Sequence, residues 1–137
     1  MRAFNRFYTE QIGALDERHE GLALTIAESR CLFTIRRLDE PDIGRIAEAL
    51  GLDLGYVSRL VSRLERAGRV RRSPADDDRR RRVVTLTRKG EDLLADVERR
   101  SNARMDALTA HLRAADVKEL LQAMETIRRL LERDDTQ

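Results

Sequence analysis

A single cysteine, Cys31, stands among the 137 residues, which excludes an intramolecular disulfide framework and suits a reducing compartment. There are two prolines, and aromatic residues amount to 4%. A sandwich or barrel would need many turns and β-branched runs, so this scarcity points to long solvated helices. Long apolar runs are also missing. The longest lies around residues 22–27, and Arg2 and Arg6 break up the start of the chain, so neither a leader nor a bilayer span is expected and a cytoplasmic location is. His19 and His111 have no second histidine or cysteine at ligand spacing, which leaves a zinc site without support. No phosphate-cradling glycine loop, G-x-S-x-G elbow or H-E-x-x-H occurs, and the carboxylates sit among arginines. The expectation is a protein that is not an enzyme and uses no cofactor, no metal and no membrane.

With 41% hydrophobic and 38% charged residues, the chain can bury one modest core, and a single domain over 1–137 is expected. The net charge of +2 says little about partners, but its distribution says more. Residues 42–90 hold 13 basic and 7 acidic side chains, so the middle is basic and the ends are acidic. All but two of the 27 basic residues are arginine. Arginine suits bidentate phosphate and base contacts, although genomic base composition produces the same bias.

Helical spacing of Phe4, Phe7, Tyr8, Ile12 and Leu15 predicts a first helix with a narrow apolar stripe. Thr25 and Glu28 fit a capping box ahead of Cys31, Leu32, Ile35 and Leu38, and Pro41 breaks the chain. Asp42 can cap a short helix that Gly51 ends, and Asp53 can cap the next, which stops at Gly68. That helix turns Val57, Leu60, Val61 and Leu64 inward, leaving Tyr56, Ser58, Arg59, Ser62, Arg63 and Arg66 on the remaining surface. Residues 70–73 and 82–86 read as strands flanking a charged turn. Thr87 then caps a helix of roughly 25 residues, with sparse apolar positions at Leu93, Leu94, Val97, Met105, Leu108 and Leu112. A last helix from Asp116 carries a dense stripe of Val117, Leu120, Leu121, Met124, Ile127, Leu130 and Leu131.

The spacing of Ile46, Ala47, Leu50, Gly51, Leu52, Val57 and Leu60 meets the steric needs of a helix-turn-helix: a small residue where the helices cross, glycine at the turn, and branched apolar residues locking their angle. The locked angle pushes the second helix outward, so that its N-terminal half can enter a major groove about 12 Å wide. A hairpin directly after it sets residues 79–82 beside the same stretch of duplex. Arginine suits a narrow, negatively charged minor groove. Asp76, Asp77 and Asp78 can orient those arginines by ion pairing when DNA is absent.

Residues 57–68, Val57-Ser-Arg-Leu-Val-Ser-Arg-Leu-Glu-Arg-Ala-Gly, and 78–90, Asp78-Arg-Arg-Arg-Arg-Val-Val-Thr-Leu-Thr-Arg-Lys-Gly, resemble the MarR (multiple-antibiotic-resistance regulator) family of winged helix-turn-helix proteins. The family's D-x-R-x(5)-L-T wing signature falls on Asp78, Arg80, Leu86 and Thr87. The resemblance implies a mainly α fold with a small β-hairpin wing, a DNA-binding lobe at about 25–90, and long N- and C-terminal dimerisation helices at about 1–18 and 88–133. It makes Arg80 the wing-tip minor-groove residue, with Asp78 as its positioning partner and Arg79 and Arg81 beside it. It also places Ser58, Arg59 and Arg63 on the recognition helix, where Tyr56 and Ser62 join them as base-reading candidates.

A homodimer with interlocking terminal helices would cover Phe4, Phe7, Tyr8, Leu121 and Leu130, and its twofold axis implies a pseudo-palindromic operator. Members of the family often bind small aromatic or phenolic acids. Tyr8, Ile12, His19, Arg30 and Phe33 would border such a pocket, although their spacing alone does not demand a ligand. Cys31 falls on an apolar helix face, which makes a buried, inert thiol the expectation. The opening residues 4–13 resemble the subset of the family fused to an acetyltransferase domain. The favoured reading is a free-standing homodimeric repressor relieved by an effector. The alternatives are the DNA-binding module of a larger acetyltransferase fusion, and a helical protein-interaction dimer that does not bind DNA.

Overall fold

A computed structural model describes residues 1–12 and 24–132. Its elements are α1 (Arg2–Ile12), α2 (Ile26–Arg37), α3 (Ile43–Leu50), α4 (Leu54–Arg66), β1 (Val70–Pro74), β2 (Arg82–Leu86), α5 (Arg88–Thr109) and α6 (Ala114–Leu131). Leu15 and His19 lie outside the described residues. Within the 137 residues the chain divides into two compact units, Met1–Ser101 and Asn102–Gln137.

Local side-chain chemistry sets most boundaries in the first unit. Thr25 Oγ1 accepts from the Glu28 amide at 3.2 Å while the Thr25 amide donates to Glu28 Oε2 at 2.9 Å, so two orphan donors at the start of α2 are satisfied reciprocally. Asp42 and Asp53 cap α3 and α4 by accepting from the Arg45 and Tyr56 amides, each at 2.9 Å. Gly51, at φ 63°, ends α3 in the left-handed region, where a side chain would be strained.

The two strands pair antiparallel with Val70 opposite Leu86 and Arg72 opposite Val84. Pro74 extends β1 by one residue beyond the expected end. It sits opposite Arg82 at the last position of the ladder, where the missing amide donor costs little. The Val84 amide donates to the Pro41 carbonyl at 2.8 Å, fastening the hairpin to the loop before α3.

The core joins Leu32 and Ile35 of α2, Ile46 and Leu50 of α3, Val57, Leu60, Val61 and Leu64 of α4, Val70 and Val84 of the hairpin, and Leu94 and Val97 of α5. Each fully buried Leu, Val or Ile contributes about 1.5–3 kcal/mol of transfer free energy. The angle between α3 and α4 is therefore held by apolar packing on both sides of the turn. Cys31 is fully buried within this cluster.

α5 begins at a close approach. The Thr87 hydroxyl donates to the Gly68 carbonyl at 2.6 Å and accepts from the Gly90 amide at 3.1 Å. A Cβ on Gly90 would lie only 2.1 Å from the Arg69 carbonyl oxygen. The helix spans 22 residues, somewhat fewer than the sequence suggested.

In the second unit, α6 starts at Ala114, two positions before the expected Asp116. The Asp116 carboxylate reaches back to accept from the Arg113 amide at 3.2 Å, so Asp116 belongs to the first turn and is not the cap. Leu121, Ile127, Leu130 and Leu131 are exposed, and α1 likewise buries no residue, with Phe4 50% and Phe7 59% exposed. Among the described residues, no helix is long and apolar enough to cross a membrane.

Candidate nucleic-acid interface

Four side chains fix how α4 is presented. Val57, Leu60, Val61 and Leu64 are fully buried, and at 100° per residue this forces Ser58, Arg59, Ser62, Arg63 and Arg66 onto the other side of the helix. Arg59, Arg63 and Arg66 are exposed there. Tyr56, read from sequence as a surface residue, is half-buried and packs partly against the core.

The wing is braced on this helix. Ser62 Oγ donates to the Ser58 carbonyl at 2.9 Å and accepts from Arg72 Nη2 at 3.0 Å. Arg72 Nη1 also lies 3.5 Å from Glu65 Oε2, and the Arg72 amide donates to Glu65 Oε1 at 3.3 Å. The Ser62 hydroxyl, a base-reading candidate by sequence, thus also ties α4 to β1. On the other flank Glu28 Oε1 lies 3.9 Å from Arg63 Nε, and Glu28 Oε2 lies 3.9 Å from Arg69 Nη1. The same carboxylate that closes the α2 cap therefore faces two cations from α4 and the segment after it.

At the wing tip, Ala75 is buried and its amide donates to the Arg81 carbonyl at 2.9 Å. Asp78 Oδ1 accepts from the Arg80 amide at 2.9 Å, and the Asp78 carbonyl accepts from the Arg81 amide at 3.0 Å. Asp78 positions the Arg80 backbone and makes no ion pair with its guanidinium. Arg79 and Arg80 are exposed, and their side chains have no partner among the described residues.

Arg81 points the other way. Its Nη1 donates to the Glu40 carbonyl at 3.1 Å, and its Nη2 to Glu40 Oε2 and Asp77 Oδ1, each at 3.0 Å. These bonds raise the Arg81 pKa, through Asp77 first and Glu40 second, and hold the Asp77 carboxyl below its ordinary value. The sequence grouped Arg81 with the DNA-facing arginines. The structure gives it three bonds that anchor the wing.

Of the effector candidates, Arg30 and Phe33 line an open cleft of about 630 Å³ together with Thr34, Arg36, Arg37, Ala49 and Leu50. Tyr8 and Ile12 do not line it; Tyr8 stacks on Phe4 within α1 at 5.8 Å. Arg36 is occupied by a bidentate pair with Glu98 of α5 and lies over the Phe33 ring at 5.1 Å. Leu54, Glu40, Glu65 and Arg72 belong to this surface and were not singled out by sequence. Only Leu54 carries a readable signal: it continues the apolar stripe of α4, three residues before Val57 and seven before Val61, to the first position of the helix, where it is exposed.

An exposed cationic helix held against a hairpin with two outward arginines defines a winged helix-turn-helix protein. Residues 24–81 match the MarR family. The chain is 23% identical over 111 residues to an uncharacterised HTH-type transcriptional regulator, YfiV, of Bacillus subtilis, covering 81% of this chain and 69% of the relative.

A crystal structure of a cysteine-to-serine mutant of Escherichia coli MarR superposes with a TM-score of 0.76 at 25% identity, covering 92% of this chain and 93% of that one. The same mutant complexed with operator DNA gives a TM-score of 0.68 at 25% identity over 92% and 91%. CouR of Rhodococcus jostii bound to p-coumaroyl-CoA shares the fold, with a TM-score of 0.67 at 21% identity over 91% and 88%. The matched segment, residues 24–81, is that of the MarR family, whose members are transcription regulators and not enzymes. This supports the regulator over both alternatives raised by the sequence.

Proposed function

We propose that the chain is a homodimeric, sequence-specific regulator of transcription that binds double-stranded DNA in the cytoplasm and represses by occupying a promoter. The observation that carries this reading is the joint presentation of Arg59, Arg63 and Arg66 on α4 and of Arg79 and Arg80 on the wing, all exposed and set by one braced framework. Helix and wing arginines neutralise phosphates and release counterions, while Tyr56, Ser58, Arg59, Ser62 and Arg63 supply the candidates for base-edge contacts. Arg80, held by Asp78, enters the minor groove. The operator-bound MarR structure supports the same use of this fold.

The exposed stripes on α1 and α6 support a second copy as the cover for Phe4, Phe7, Tyr8, Leu121 and Leu130. A twofold dimer would present two recognition helices to half-sites about one helical turn apart. The cleft holding Arg30 and Phe33 would take a small aromatic or phenolic acid, the carboxylate facing Arg30 or Arg37, and CouR is a relative seen with an aromatic ligand. Titrating the protein against random-sequence duplex at 50 and 200 mM salt tests the central reading. Binding through six or more phosphates weakens about 10³-fold or more over that range, whereas a flat response favours a protein-interaction dimer.

A further inference from the structure

We infer that Leu54 is a specificity-determining residue that seats against the C5-methyl group of a thymine in each half-site. The inference rests on the DNA-binding reading above and adds to it a base identity and the side chain that reads it.

The four core-facing apolar residues of α4 are wholly buried, whereas Leu54, the first residue of that helix, is 57% exposed. A lone exposed leucine is ordinary on a protein surface. This one is distinguished by its place, because it leads the helix whose N-terminal end meets base edges.

Its neighbours extend the argument. Gly55 has no side chain, and a Cβ there would lie 3.1 Å from Asp53 Oδ2 and 3.4 Å from Arg59 Nη1. The Arg59 guanidinium therefore folds back along the first turn, over the space that Gly55 leaves. The leading turn thus offers a branched apolar side chain, then bare backbone, then a cation. In the major groove the only apolar group on a base edge is the thymine methyl, while cytosine presents an amine donor and the purines present polar atoms. Leucine buried against that methyl gains from desolvation, and against a polar edge it strands a donor or acceptor.

The test uses the full chain and an operator recovered by selection from random duplexes. Each thymine of one half-site is replaced singly by deoxyuridine, which removes only the methyl, and affinities are measured for the wild type and for Leu54→Ala. Alanine is a good helix former at an exposed position, so circular dichroism should be unchanged. The expected result is one thymine whose methyl loss weakens the wild type about fourfold, the worth of one buried methyl, while Leu54→Ala binds thymine and uracil there equally. The inference is overturned if the wild type is indifferent at every thymine, or if Leu54→Ala keeps the full preference. If the wild type enriches no duplex at all, the DNA-binding reading itself fails, an outcome distinct from both.

Discussion

Arg81 grips Glu40 twice, through the backbone carbonyl and through the carboxylate, and Glu40 is the one non-glycine residue at positive φ among those described, at 42°. A residue held in the left-handed region costs of order 1 kcal/mol or more and persists only where its surroundings over-determine it. The Arg81 guanidinium, anchored also by Asp77, supplies that determination. The tip of the wing is thereby tied to the loop between α2 and α3.

Adjacent wing arginines should therefore behave differently. Arg80→Ala should weaken DNA binding on the order of tenfold and lower the salt slope by about 1 per subunit. Arg81→Ala should leave the slope nearly unchanged and speed amide hydrogen exchange across residues 75–82. Equal slope losses in both variants would show that Arg81 leaves Glu40 to meet phosphate.

Gly90 admits no side chain, because a Cβ would collide with the Arg69 carbonyl oxygen at 2.1 Å and with Leu86 Cδ2 at 2.9 Å. That carbonyl also accepts from the Thr87 amide at 3.1 Å, so it cannot yield cheaply. Gly90→Ala should lower unfolding free energy by about 3 kcal/mol, measured by urea denaturation. A loss under about 0.5 kcal/mol, the scatter of neutral surface substitutions, would contradict the packing.

Burial, and secondarily Glu28, pushes the Cys31 pKa up from 9.0 to about 12. In the folded protein at pH 8.5, iodoacetamide should therefore react on the order of a thousandfold more slowly than with a free thiol. The sign of the linked stability effect follows. Above pH 9 the unfolded chain loses this proton while the folded chain keeps it, so the group favours folding fully below pH 9 and progressively less up to pH 12. Cys31→Ala should flatten the alkaline fall in stability. Rapid native alkylation would overturn the buried, inert assignment.

Leu121 and Leu130 are 61% and 54% exposed within one chain. If a second copy covers them, Leu121→Asp or Leu130→Asp places a carboxylate in an apolar interface at a cost of several kcal/mol. Sedimentation should then show monomers. Dimers of normal stability would move the interface elsewhere.

What was legible in the sequence is what acts over short range. The caps at Thr25, Asp42 and Asp53 and the turn at Gly51 each involve partners within four residues, so residue type and spacing suffice to find them. The buried stripe of α4 followed from periodicity alone. The bond from Arg81 to Glu40 spans 41 residues and exists only because the hairpin folds back on the loop before α3, which no local pattern encodes. Helix projection shows that Ser62 faces outward, not that Arg72 arrives from β1 to meet it. Periodicity sorts Leu54 toward the core with Val57 and Val61, and what it does not encode is that the helix start leaves this side chain exposed.

Selection of bound sequences from a random duplex library by the purified protein bears most directly on the whole account. An operator-reading dimer should enrich a pseudo-palindrome with half-sites about 10 base pairs apart, centre to centre, and Arg80→Ala should enrich it less strongly. Recovery of no preferred sequence, together with binding indifferent to salt, would contradict it.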